Sequence, residues 1–141
     1  MAAALLGDAV RRTPDTTTGT VTVASAGVAA HAGDAATDLA IRVMKRHGIN
    51  LDHRATRLTR DIAEHADVIL TMTTDHNAEV LRRAPTAARK LFTICEYAGL
   101  EGHVSDPLAE GTEEAYERCA PQLVALTPRI FERLRSPSNR T

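Results

Sequence analysis

The sequence predicts an α/β domain built on a parallel sheet with helices on both faces. Three observations point there. Strand-like and helix-like segments alternate along the chain, as they do in parallel sheets connected by crossover helices. The run Asp67-Val68-Ile69-Leu70-Thr71-Met72 is almost continuously apolar, the pattern of a strand buried on both faces. No internal repeat or low-complexity stretch interrupts the alternation.

Taking the chain in order, residues 2–12 form an amphipathic helix, with Ala2, Leu5, Leu6 and Val10 near one face and Arg11-Arg12 at the negative end of its dipole. The polar stretch 13–19 reads as a loop. The β-branched content of 21–24 predicts a strand, ended by Ser25-Ala26-Gly27. Asp34 is the expected cap of the next helix, in which Leu39, Ala40, Val43, Met44 and His47 recur at helical spacing until Gly48 stops it. Thr59 caps a brief helix through His65, the strand at 67–72 follows, and Thr74 caps a helix over 75–83 that ends before Pro85. Residues 90–94 make the third strand. From Thr112, with Glu113 and Glu114 at the positive end of the dipole, a long helix carries Tyr116, Ala120, Leu123, Thr127, Ile130, Phe131 and Leu134 along its core face. Pro121 and Pro128 lie on the opposite side, where each removes a helix hydrogen bond, so a bend or break is expected.

A chain of 141 residues, 43% hydrophobic and 25% charged, suits one domain with its own core. That domain is expected over residues 1–135, with 136–141 a flexible polar tail. A net charge of -1 and 3% aromatic residues give neither a basic field nor stacking rings, which argues against a nucleic-acid partner. No run is long enough to span a bilayer and the start lacks the pattern of a signal peptide, so the expected setting is cytoplasmic with no membrane association. Two cysteines, Cys95 and Cys119, far apart in sequence, make neither a disulfide framework nor a zinc knuckle and read as small buried hydrophobes. Six scattered histidines without the spacing of a helical zinc site give no metal centre, and no cofactor motif is present.

The segment Val104-Ser105-Asp106-Pro107-Leu108 carries the most chemistry. Pro107 biases Asp106 away from the α region, so its carboxylate sits on a stiff, extended mount ahead of the capped helix at 112. This Asp-Pro loop resembles that of the low-molecular-weight protein tyrosine phosphatases, whose aspartate protonates the leaving group. Three further stretches fall in that family's order: Ala24-Ser25-Ala26-Gly27-Val28, His47-Gly48-Ile49-Asn50-Leu51-Asp52-His53-Arg54 and Ala66-Asp67-Val68-Ile69-Leu70-Thr71-Met72-Thr73.

The resemblance implies a three-layer fold with a four-stranded parallel sheet. It also implies a cysteinyl-phosphate mechanism acting on phosphotyrosine or phosphoarginine in a protein, or on a small phosphoester, with Asp106 as general acid and Ser25 and His53 supporting the phosphate loop. Leu108 stands where the tyrosine-directed branch commonly has tyrosine. Phe92-Thr93-Ile94-Cys95-Glu96-Tyr97 and Met72-Thr73-Thr74-Asp75-His76 resemble the bacterial protein-arginine-phosphatase branch.

The family's Cys-x5-Arg-Ser/Thr-Pro loop is not among the 141 residues: Glu101 lies six positions after Cys95, and Ala125 six after Cys119. Residues 1–6 resemble the helix that follows that loop, and Met1 offers it no side-chain cap. Together these imply a chain lacking the first, inner strand and the nucleophile loop, and therefore inactive as written, with exposed sheet edges open to self-association. The alternative is a non-catalytic binding or regulatory relative.

Overall fold

The computed structural model describes residues 1–13, 21–52 and 54–136. Seven helices and two paired strands occur among them: α1 (Ala2–Arg12), α2 (Asp38–Arg46), α3 (Arg60–His65), β1 (Ile69–Thr71), α4 (Thr74–Arg83), β2 (Leu91–Thr93), α5 (Ile94–Tyr97), α6 (Pro107–Glu110) and α7 (Glu113–Arg135). A 3-10 turn, Pro85–Lys90, links α4 to β2.

β1 and β2 are parallel, with Ile69, Leu70 and Thr71 opposite Leu91, Phe92 and Thr93. The pleat sends alternate side chains to opposite faces, and here it divides two cores. Val68, Leu70, Met72 and Phe92 pack on the larger one, in which Met44, Val43, Tyr116, Ala120 and Leu123 are fully or almost fully buried. Ile69 and Leu91 turn to a smaller core with Leu58, Ala63, Val80, Ala84 and Ala87. Helices thus cover both faces: α1, α2 and α5 pack on α7 on one side, while α3 and α4 sit with the 3-10 turn on the other. This is the expected three-layer α/β arrangement.

Local chemistry explains the element ends. Thr59 and Thr112 cap α3 and α7 by accepting from the Ile62 and Ala115 N–H groups. β2 runs directly into α5, where Thr93 and Glu96 form a reciprocal capping box. Lys90 reaches back to donate to the Glu64 and Ala66 carbonyls, each 2.6 Å away, satisfying acceptors left open at the end of α3. Arg83 ties α4 to two loops by donating to the Val28 and Leu58 carbonyls, at 2.7 and 3.3 Å, while also bonding Glu79.

Several expectations need correction. Residues 21–24 are not a strand, although their exposure alternates with period two. Pairing in this part of the chain falls instead at Gly27, which bridges Arg57 by donating to the Thr56 carbonyl and accepting from Leu58 N–H. Gly27 has to be a glycine, since a Cβ there would lie 2.7 Å from the Ala30 Cβ. β1 is half-buried at all three positions rather than buried on both faces, because within the described residues its only ladder partner is β2.

α2 is capped by Thr37, not Asp34. The backbone at 33–35 is already committed: Gly33 and Asp34 exchange hydrogen bonds with Ala55, and Ala35 bridges Arg54, so the helix cannot start until the chain leaves that bridge. Thr73 rather than Thr74 caps α4.

α7 runs unbroken through Pro121 and Pro128. The carbonyls the two prolines leave without an N–H partner belong to Glu117 and Val124, both exposed, where water can serve them. No helix among the described residues is long and apolar enough to cross a membrane.

Candidate active site

Asp106 is the N-cap of the one-turn helix α6, with φ -73° and ψ 113°. Pro107 occupies the first helical position, where its missing N–H costs nothing and its fixed φ suits the helix. The extended backbone expected for Asp106 is therefore present, although the residue opens a short helix rather than lying in a free loop. Its Oδ1 accepts from the Leu108 N–H at 3.0 Å. Val104 and Pro107 are buried on either side, so the carboxylate rides on a fixed segment. At the far end Gly111 closes α6 with φ 68°, a left-handed conformation that any side chain would strain, and Thr112 then caps α7.

The second oxygen, Oδ2, lies 3.6 Å from His76 Nε2. The other ring nitrogen, Nδ1, is 3.3 Å from the Thr73 hydroxyl, which also accepts from the His76 backbone N–H. Thr73, His76 and Asp106 thus form a polar line from the start of α4 to the start of α6. The pairing joins residues 30 apart, and the only sequence trace of it is a Thr-x-x-His at a helix start.

The N-terminal end of α1 is close by. Burial lowers the Met1 α-ammonium below its ordinary value, an effect opposed by the nearby charges of Cys119 and Asp106. Burial pushes the Cys119 thiol up to about 11, with the Met1 ammonium opposing and Asp106 adding. Cys95 is likewise raised by burial, and both cysteines are free thiols. Neither is poised as a thiolate. Of the supporting residues expected from the sequence, Ser25 is half-buried in the irregular segment before Gly27, and His53 lies outside the described residues. An open cleft of about 420 Å³ lined by Tyr97, Gly99, Arg129 and Arg133 shares none of the Asp106 site's residues.

The Cys119 environment gives a pH-dependent expectation. A thiol that is harder to ionise in the folded state than in the unfolded one adds stability that is complete below an unfolded value of about 9 and is lost as pH rises through about 11. The stability difference between wild type and Cys119→Ala, from urea unfolding, should therefore shrink by about 2 kcal/mol between pH 8 and pH 11. A pH-independent difference would mean that Cys119 is not desolvated.

Comparison with known proteins identifies the family of the chain. The sequence profile of the low molecular weight phosphotyrosine protein phosphatases matches residues 1–139. A protein-arginine-phosphatase of Geobacillus stearothermophilus is 34% identical over 117 residues, covering 82% of this chain and 78% of that protein. A probable low molecular weight protein-tyrosine-phosphatase, EpsP, of Ralstonia nicotianae is 34% identical over 114 residues, 78% of this chain and 77% of that protein. The solved YwlE arginine phosphatase from Geobacillus stearothermophilus superposes with a TM-score of 0.82 at 34% identity, covering 94% of this chain and 82% of that one. With a family profile matched over residues 1–139 and relatives at 34% identity over most of its length, the chain belongs to the low molecular weight phosphotyrosine protein phosphatase family.

Proposed function

We propose that this chain carries the general-acid half of a protein phosphatase site, with Asp106 as the proton donor, and that phosphoryl transfer requires a Cys-x5-Arg loop in addition to these 141 residues. The observation that carries the reading is the Asp106 carboxylate: one oxygen is held by the Leu108 N–H, the other is turned toward His76, and the side chain is about one-third exposed, 36%. It is fixed in direction yet accessible, as a general acid must be. The charges of Asp106 and the Met1 end of α1 act on each other, and the N-terminal end of a helix favours an anion.

In the reaction that follows from this reading, a thiolate attacks phosphorus and the bond to the leaving group breaks as Asp106 delivers its proton to the leaving oxygen or nitrogen. Water then attacks the cysteinyl phosphate, the Asp106 carboxylate takes up the water's proton, and phosphate departs with the thiolate regenerated. Protein phosphoarginine is the substrate class we favour over phosphotyrosine. Leu108 is exposed beside Asp106 and offers no aromatic ring to flank a phenyl group; this residue carries the preference, since an arginine phosphatase and a probable tyrosine phosphatase match the chain at the same 34% identity. Cytoplasmic residence and association through the open sheet edge belong to the same reading.

The test compares two proteins. The 141-residue chain should release no phosphate from a phosphoarginine peptide or an aryl phosphate above a buffer blank. A form carrying a Cys-x5-Arg-Ser/Thr-Pro segment ahead of residue 1 should release it, faster from the phosphoarginine peptide. Turnover by the shorter chain would overturn the required-loop reading, and a silent longer form would favour a non-catalytic binding role.

A further inference from the structure

We propose that His76 is a positioning residue for Asp106: its Nε2 side steers the carboxylate oxygen that must carry and deliver the proton, and Thr73 sets the imidazole's orientation. The inference rests on the general-acid role of Asp106 proposed above.

The geometry divides the work between the two carboxylate oxygens. Oδ1 is committed to the Leu108 N–H at 3.0 Å, a backbone bond that caps α6. That leaves Oδ2 as the oxygen able to gain and lose a proton, and the side-chain partner in range is His76 Nε2 at 3.6 Å. A carboxylate held at one oxygen still rotates about its Cβ–Cγ bond, and a second contact restricts that rotation. At 3.6 Å the contact is an electrostatic approach and not a hydrogen bond, so His76 guides Oδ2 without holding its proton. Both side chains stay partly exposed, at 32% and 36%, leaving room for a leaving group to enter beside them.

The imidazole is itself held. It rises from the first turn of α4, whose N-cap Thr73 places its hydroxyl 3.3 Å from Nδ1. When that hydroxyl donates to Nδ1, the neutral ring must carry its hydrogen on Nε2, the nitrogen nearest Oδ2. The threonine's oxygen meanwhile accepts the His76 N–H at 3.4 Å, so one residue fixes the helix start and the ring together. A side chain in this role does not touch the phosphoryl group. It acts through Asp106, and its removal matters only where the transferred proton matters.

Two measurements test this. In the 141-residue chain, long-range ¹H–¹⁵N spectra report the ring nitrogens of each histidine. Asp106→Asn should move the His76 Nε2 resonance and leave those of His31 and His47 in place, and an unmoved His76 resonance would overturn the proposal. In the loop-bearing form, His76→Ala should lower turnover roughly 10-fold to 100-fold, the scale of a misplaced catalytic group, for substrates whose leaving group needs a proton. It should have little effect on an activated aryl phosphate, and His76→Gln, which offers an N–H near the Nε2 position, should recover most of the loss. A loss equal for all substrates, or none at all, refutes the positioning role while Asp106→Asn still impairs proton-requiring substrates. If Asp106→Asn also has no effect, the general-acid reading itself falls.

Discussion

Asp106→Asn is expected to lower turnover by roughly 10²–10⁴ in the loop-bearing form, the usual contribution of a positioned acid or base, and by much less for a substrate whose leaving group departs without a proton. The substitution is chosen for what it leaves alone. Asparagine caps helices about as well as aspartate, so the bond from the Leu108 N–H and the α6 turn should survive. Pro107 keeps the backbone extended and Gly111 still closes the turn. What is removed is the acidic proton together with the carboxylate's charge, an NH2 group replacing one oxygen. Equal thermal midpoints for the two proteins, alongside the leaving-group-dependent loss, would isolate chemistry from folding. An Asn variant as fast as wild type on every substrate would remove Asp106 from its role.

The second large effect is on stability. Met44→Ala should cost about 2–5 kcal/mol in urea unfolding, the range for truncating a large buried side chain. Met44 is 0% exposed in the larger core, on the face of α2 that meets α7, so deleting it leaves a void between two helices that are also tied at their ends. Thr37 donates to the Tyr116 hydroxyl at 3.1 Å, and Arg42 and Arg46 pair with Glu113. These ties fix how α2 lies on α7, so the cost within the range depends on how far the two helices can shift to fill the void. Leu108→Ala is the control: Leu108 is 64% exposed, and its loss should fall within about 0.5 kcal/mol of wild type. A Met44→Ala cost below 1 kcal/mol would show that α2 and α7 close over the gap.

Helices were the most legible part of the sequence, because their signals are local. Thr59, Thr112 and the residues along the core face of α7 could be picked out from spacing and capping chemistry alone. Asp34 misled for a reason outside its own neighbourhood: the bridge between 33–35 and 54–55 occupies its backbone, and a pairing across that distance has no local trace. The segment at 21–24 has strand composition, yet a strand exists only with a ladder partner. Pro121 and Pro128 promised a break in α7 that exposure of the freed carbonyls makes unnecessary. In the site, Asp106 stood out because Pro107 adjoins it. His76 did not, since its meaning comes from a carboxylate 30 residues away.

The division of the interior by β1 and β2 has a kinetic consequence. The buried residues of the smaller core, from Leu58 to Leu91, come from one continuous stretch of chain. Its contacts close short loops, which cost little entropy and form early. The larger core needs α1 to meet α7 from opposite ends of the chain, and α7 also follows the segment that bears Asp106. Since α7 packs on both α6 and α1, the helix that flanks the acid is expected to reach its full packing only when this distant closure is made. Fluctuations that open the α1–α7 contact would loosen the site while the smaller core stays folded.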